Sequence, residues 1–339
     1  MSDSDSLMEL AIKEAHESPR AVRPNPRVGA AMLSKDGRRI SAKHEVFGGP
    51  HAEVNLFKKA HEAGIKIEGS TVAVTLEPCS HFGKTPPCAD LLIKEKIKKV
   101  IIGLIDPFEK VAGQGIAKLQ AAGIEVEIDV HKDQCEALNR EWLFAHKNKR
   151  PFVTLKMATS LDGKFFSHSG ASQWITGPEA RNHAQQLRAR VDAMISSWKT
   201  VLKDDPQFTA RNSSGELLSA QPHLFIISRR EAQDMSAFKI SKRPSGAEWL
   251  QTQSLEDALS ILYKRGLYDV MIEAGPQLSA QFIESNLVAE IWHYMGSQYL
   301  GGEQSSFQAL NSGKIPGRQF KNKSLTQLSD NDFLLILKA

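Results

Sequence analysis

Short β-branched apolar runs alternate with amphipathic helical segments along almost the whole chain, and this alternation is broken once, at "HKNKRP" (146–151). Strand–helix alternation with few long loops leaves little choice of architecture: an α/β fold, with a sheet covered by helices on its faces. A polar, basic stretch ended by a proline marks a linker, so two such layers are expected in the chain's 339 residues.

Before the break, apolar residues from Leu7 to about Ala15 fall at helical spacing, and "RPNPRVG" (23–29) interrupts them with two prolines. "AAMLSKDGRRISAKHEV" (30–46) has the pattern of a strand, an Asp-Gly turn and a second strand. A helix over 51–64 closes at Gly64, a strand over 70–76 follows, "CADLLIKEKIKK" (88–99) returns to helix, and 100–106 is a buried strand. "GQGIAKLQAAGIEVEID" (113–129) adds another helix and strand. After the break, strands are expected at 152–160, 191–197, 223–229, 269–275, 290–296 and 332–338, with helices near 178–190, 254–265 and 277–286.

Composition narrows the setting. The chain is 41% hydrophobic and 24% charged, as soluble globular proteins are, and no apolar run approaches the ~20 residues of a membrane span. Its N-terminus, Met-Ser-Asp-Ser-Asp-Ser, lacks the basic-then-apolar order of a secretory signal. Three cysteines are odd in number and too few for a disulfide framework, which points to a reducing compartment, the cytoplasm. A net charge of +4 is slight and dispersed, so "KEKIKK" (94–99) and "HKNKR" (146–150) are read as a solvated helix face and a linker, with no nucleic-acid partner.

Two of the three cysteines stand in one loop, "EPCSHFGKTPPC" (77–88). With His51-Ala-Glu53 upstream, they supply one imidazole and two thiolates, each at an element boundary, and zinc accepts all three. Catalytic zinc keeps three protein ligands and an open position, and Glu53 would stand beside that position without binding the metal. A structural zinc site is the competing reading, with His81 inside the loop as its fourth ligand. Cys135 is read as an ordinary residue of a helical, charged stretch. In zinc deaminases a non-ligand Glu carries the proton from water to the departing amine. Their usual P-C-x-x-C spacing is absent here, since eight residues separate Cys79 from Cys88.

"RPNPRVGA", "HAEV", "TLEPCSHFGKTPPC" and "DPFEKVAGQGI" together resemble the bifunctional riboflavin-biosynthesis deaminase/reductases, a branch of the cytidine-deaminase-like superfamily in which the cysteine loop is long. "LKMATSLDGK" (155–164), "SQWITGPEAR" (172–181), "LRARVDAMI" (187–195), "TVLKDDPQFTAR" (200–211) and "IEAGPQL" (272–278) continue the resemblance beyond the linker. It implies a zinc-dependent deaminase domain over 1–147 and an NADPH-dependent reductase domain over 150–339, the second similar to dihydrofolate reductase in fold. The first would remove the 2-amino group of 2,5-diamino-6-(5-phosphoribosylamino)pyrimidin-4-one as ammonia. The second would reduce the ribosyl group of the product to ribityl. His51, Cys79 and Cys88 would be the zinc ligands and Glu53 the catalytic acid/base, with Asn25, His44, His81 and Lys84 as contacts to the phosphorylated pyrimidine. Asn25 also reads as a plain turn residue.

In the second half the resemblance implies Ala158, Trp174, Thr200, Asp204, Ser228 and Gly275 as the NADPH site. Ser172, Arg188, Phe208, Arg211 and Glu273 would meet the substrate, the two arginines suiting its phosphate. Periodicity alone carries no oxidoreductase signal there, and no G-x-G-x-x-G is present. "SSWKTV" (196–201) stands where relatives have a glycine-rich turn, Ile227 stands where they often have Asp, and 229–253 is short. Trp198 and Lys199 are therefore expected to reshape the cofactor rim. The competing function is a deaminase whose degenerate second half serves only in binding or dimerisation. A homo-oligomer, dimer or tetramer, is expected, with no membrane partner.

Overall fold

The computed structural model describes residues 2–80, 86–107, 112–165, 174–301 and 319–339. The chain divides into two compact units, Met1–Asn148 and Lys149–Ala339.

The first unit holds strands β1 (Gly29–Leu33), β2 (Arg39–Lys43), β3 (Thr71–Val74), β4 (Lys99–Ile102) and β5 (Glu125–Glu127), in the order β2-β1-β3-β4-β5. β1 is antiparallel to β2 and β3, while β3, β4 and β5 run parallel. Strand alternation divides the apolar residues between two faces. Ala30, Met32, Val72, Val74, Val100 and Ile102 pack under the helices α2 (Ala52–Glu62), α3 (Cys88–Lys94) and α4 (Gln114–Ala121), through Leu56, Leu92 and Leu119. Ala31, Ala73 and Ile101 face α1 (Asp3–His16), α5 (Lys132–Leu138) and α6 (Arg140–Asn148). The result is a helix–sheet–helix layering. α1 starts ahead of its apolar stripe because Ser2 and Asp5 form a reciprocal capping box. The helix expected over 88–99 stops at Lys94, where the chain turns through Lys96 at φ 53° to reach β4.

The second unit is an eight-stranded sheet in the order β12-β13-β11-β6-β10-β7-β8-β9. Its strands are β6 (Phe152–Thr159), β7 (Ala193–Ser197), β8 (His223–Ser228), β9 (Glu248–Gln251), β10 (Asp269–Ile272), β11 (Glu290–Gly296), β12 (Lys321–Gln327) and β13 (Asp332–Lys338). β11 through β9 are parallel, and β13 and β12 add an antiparallel edge. α9 (Leu255–Lys264) and α10 (Pro276–Glu284) cover one face; α7 (Pro178–Arg190) and α8 (Trp198–Asp204) cover the other. β12, not foreseen in the sequence, is the polar run "KNKSLTQ", an edge strand exposed at every position but Ser324. Among the described residues no helix is long and apolar enough to cross a membrane.

Candidate active sites

In the first unit the turn after β3 and the starts of α2 and α3 converge. His51 is the N-cap of α2, Glu53 lies in its first turn, and Cys88 opens α3. Cys79 is fastened to that opening twice: its carbonyl accepts from Ala89 N at 3.1 Å, and its Sγ accepts from Cys88 N at 3.3 Å. His51 Nδ1 stands 3.7 Å from Cys79 Sγ and 3.3 Å from Cys88 Sγ. Tetrahedral zinc, with bonds of about 2.0 Å to nitrogen and 2.3 Å to sulfur, holds such ligands about 3.6 Å apart. The three donor atoms lie within 4.8 Å of one another and form the metal-competent group among the described residues, without Glu53.

The donor set also needs a cation. The hydrogen bond with Cys88, helped by His51, draws the Cys79 thiol far below its usual pKa, while the same bond and burial push Cys88 up. Two adjacent sulfurs cannot both ionise unaided, whereas a bound metal deprotonates both. The geometry and the chemistry of these residues therefore fit zinc. Glu53 is 3% exposed, and burial, reinforced by the Cys79 charge, raises its pKa.

Asn25 and His44 meet behind this group. His44 is buried, with Nδ1 2.9 Å from the Pro50 carbonyl and Nε2 3.2 Å from Asn25 Nδ2. A carbonyl only accepts, so Nδ1 carries the proton and Nε2 accepts from the Asn25 amide. Burial lowers the His44 pKa, in keeping with that neutral ring. His44, expected as a substrate contact, has both nitrogens committed within the protein and instead orients Asn25. His81 and Lys84 lie outside the described residues.

Glu77, which the sequence did not single out, fastens the turn that carries Cys79. It is 4% exposed, and its carboxylate accepts from the backbone amides of Asp106, Gly113, Gly115 and Ile116 at 2.9–3.3 Å. A Cβ on Gly115 would come within 2.2 Å of the Pro78 carbonyl, so the α4 start packs directly on the turn that delivers Cys79. An acid beside Pro-Cys, paired with a downstream Gly-x-Gly, was the available signal. Cys135, read in the sequence as an ordinary residue of a charged helical stretch, is a core residue beside Met8.

In the second unit a cavity of about 1370 Å³ opens over the C-terminal ends of β6, β7 and β10, where parallel sheets place ligands. Typical ligand pockets occupy about 300–1,000 Å³, so a dinucleotide and a substrate can share this one. Ala158, Trp174, Thr200, Asp204, Gly275, Arg188, Phe208, Arg211 and Glu273 line it. Ser228 does not; its hydroxyl accepts from Arg230 N, and the preceding Ile227 faces the cavity in its place. Ser172 lies outside the described residues.

The Gly275 amide donates to Thr200 Oγ1 at 3.2 Å at the start of α10. A Cβ there would meet only Thr200 Oγ1, at 3.8 Å, so no crowding within the protein demands glycine. A small residue there leaves the α10 N-terminus open to close approach, as a phosphate-bearing cofactor requires. Trp198 does not intrude on this rim: its ring turns inward against Phe238 and Trp249. Lys199 does reach the rim, with Nζ 3.2 Å from Gln277.

Glu273 receives Arg188 Nε at 2.9 Å and Nη2 at 2.8 Å, with Lys156 Nζ at 3.4 Å. Burial raises its pKa, but the two cations outweigh this and bring it down to about 2. Arg188 thus spends its fork on Glu273, contrary to the expectation that it meets the substrate phosphate. Among the described residues the Arg211 guanidinium is held by neutral partners, Thr209 Oγ1, the Gly215 carbonyl and Gln207 Oε1, with no carboxylate paired to it. Lys156, missed in the sequence, lines the cavity between Glu273 and the Tyr294 ring.

Comparison with known proteins bears on both units. A family model for the cytidine and deoxycytidylate deaminase zinc-binding region matches residues 1–104, and one for the RibD C-terminal domain matches residues 151–334. The riboflavin biosynthesis protein RibD of Escherichia coli is 33% identical, with 98% of each chain covered. A RibD structure from Acinetobacter baumannii is 37% identical with a TM-score of 0.87, covering 99% of this chain and 98% of that one. A Thermotoga maritima diaminohydroxyphosphoribosylaminopyrimidine deaminase/5-amino-6-(5-phosphoribosylamino)uracil reductase is 33% identical with a TM-score of 0.86, at the same coverage. Matched along both its deaminase-like and its reductase half, the chain belongs to the RibD family, the bifunctional zinc-dependent deaminases and NADPH-dependent reductases of riboflavin biosynthesis.

Proposed function

We propose that His51, Cys79 and Cys88 hold the catalytic zinc and that Glu53 is the proton carrier of the deamination. The observation that carries this reading is the single cluster of His51 Nδ1 and the two sulfurs, with the buried Glu53 two residues along the chain from His51. Zinc, when bound, supplies a Lewis acid that makes water acidic enough to react near neutral pH. Glu53 takes one proton of the attacking water and passes it to the ring nitrogen as the carbon–oxygen bond forms. It then carries the remaining hydroxyl proton to the 2-amino group, which leaves as ammonia as the carbon–oxygen double bond closes. Asn25, its Nδ2 committed to His44, keeps Oδ1 as an acceptor for the substrate's donor groups. His81 and Lys84 remain the proposed contacts for the substrate phosphate.

In the second unit, Thr200, Gly275 and the start of α10 are assigned to the cofactor, with Ala158, Trp174 and Asp204 around it. NADPH, when bound, supplies the hydride. Arg211, Phe208 and Ser172 are assigned to the substrate, and Glu273 holds Arg188 and Lys156 in place. Opening a ribosyl ring to ribityl also consumes a proton, and the Lys156 ammonium is the donor this cavity wall offers beside Glu273. Domain limits of 1–147 and 150–339, a cytoplasmic setting in keeping with two cysteines kept as zinc-binding thiolates, and assembly of two or four copies complete the proposal; light scattering on purified protein measures the last.

Glu53→Gln tests the central assignment. Ammonia release is expected to be abolished while one zinc per chain stays bound and the reductase activity persists. Deamination at the wild-type rate in that variant would sink the assignment.

A further inference from the structure

Two residues in the turn after α8 adopt left-handed backbone without being glycine: Asp205, at φ 40°, and Phe208, at φ 52°. Side chains rarely accept that region, and it persists only where the surroundings impose it. The turn matters to the second site, because Phe208 and Arg211 lie within and just beyond it and line the cavity.

What imposes the conformation comes from the chain after β8. Asp205 Oδ1 accepts from Lys239 N at 2.8 Å, and Oδ2 is 3.4 Å from Lys239 Nζ. Four residues on, Arg243 is 5% exposed and has its whole guanidinium committed to neutral acceptors. Nη1 donates to the carbonyls of Gln207 and Phe208, at 2.9 Å for the former. Nη2 donates to the Pro222 carbonyl at 2.7 Å and Ser245 Oγ at 3.2 Å, and Nε to the Gly246 carbonyl at 3.0 Å. From the other side, Arg188 Nη1 donates to the Thr209 carbonyl at 3.0 Å. Three successive carbonyls, 207 to 209, are therefore pinned by two arginines, and the Phe208 ring packs into the core that contains Ile240.

A cation this buried, held by carbonyls and one hydroxyl with no carboxylate among its partners in the described residues, is a poor way to gain stability. A planar fork that reaches consecutive carbonyls is a good way to fix a turn. We propose that Arg243 is a positioning residue of the reductase, holding the 205–208 turn so that Phe208 and Arg211 meet the phosphorylated pyrimidine. The inference rests on the reading of Phe208 and Arg211 as substrate contacts. Arg243 touches neither Thr200 nor Gly275, so its effect falls on substrate and not on cofactor.

The test uses the full chain and three variants, R243M, R243K and R211A, assayed with NADPH and the deaminated pyrimidine. Loss of two charge-assisted hydrogen bonds to the turn is expected to raise the KM for the pyrimidine about 30-fold in R243M. The kcat changes less than about threefold, and NADPH affinity, read from the fluorescence of the bound nicotinamide, stays within about twofold. R243K, which keeps the charge but not the fork, raises KM about fivefold and carries the test if R243M does not fold. Ammonia release is unchanged in all three. A normal KM in both Arg243 variants beside a raised KM in R211A overturns the inference alone. Parallel loss of substrate and NADPH affinity also overturns it, since a merely structural arginine would act that way. A normal KM in R211A overturns the reading of the turn, and the inference with it.

Discussion

Glu273→Gln is the sharpest perturbation of the second unit. The wild-type carboxylate sits between Arg188 and Lys156, all three side chains 15–18% exposed. Its backbone is fixed from both sides, with Glu273 N on the Ile195 carbonyl and its own carbonyl accepting from Ser196 Oγ. A pKa brought from 4.5 down to about 2 corresponds to about 3 kcal/mol of stability at neutral pH. The cost of breaking a buried pair, about 3–5 kcal/mol, lowered here by the partial exposure of all three side chains, agrees. The sign follows from the lowered pKa: the contribution is complete above pH 4.5 and disappears as pH falls toward 2. Trp174, Trp198, Trp249 and Trp292 all belong to this unit and only Trp142 to the other, so tryptophan fluorescence in urea follows it selectively. The variant is expected to unfold with about 3 kcal/mol less stability at pH 7, a gap that closes below pH 4, and to lose reductase activity while still releasing ammonia. A gap under about 0.5 kcal/mol at pH 7 would refute the reasoning, because an unpaired Arg188 and Lys156 cannot be that cheap.

Burial holds the pKa of His293 down at about 4, with Nε2 2.7 Å from Thr159 Oγ1. The unfolded chain protonates this ring near pH 6.5 and the folded one only near 4, so acid favours unfolding. The second unit is expected to lose about 3 kcal/mol between pH 6.5 and pH 4, and His293→Gln to flatten that loss; an unchanged slope in the variant would assign it to other groups. Chelation of zinc at neutral pH is expected to end ammonia release and to leave reduction of supplied deaminated pyrimidine intact, because all three ligands lie in the first unit. Parallel loss of both activities would contradict this.

How much of this was legible in the sequence depended on what each residue does. The grouping of His51, Cys79 and Cys88 was readable because histidine and cysteine at element boundaries are scarce and their chemistry narrow. The β-α alternation was equally plain, since strand and helix periods differ wherever one face is buried. β12 escaped because an edge strand facing water needs no apolar alternation. The 88–99 helix was overextended because "KEKIKK" continues the helical composition through a turn that only the backbone reveals. His44 was placed on the substrate because its partners, Pro50 and Asn25, are not encoded near it as a pattern.

Glu77 and Arg243 show why the remainder was hidden. Both act on backbone groups: one carboxylate gathers four amides, and one guanidinium gathers carbonyls from four residues. A backbone partner has no residue identity, so neither interaction leaves a paired signature along the chain. The Arg188–Glu273 pair is written in side chains but spans 85 positions, and only the parallel sheet brings β10 beside β7 to close that distance. Changing a zinc ligand removes chemistry that nothing else in the unit supplies. On the proposal made above, changing Arg243 leaves every reacting group present but displaced, so the expected loss is in substrate binding more than in catalysis.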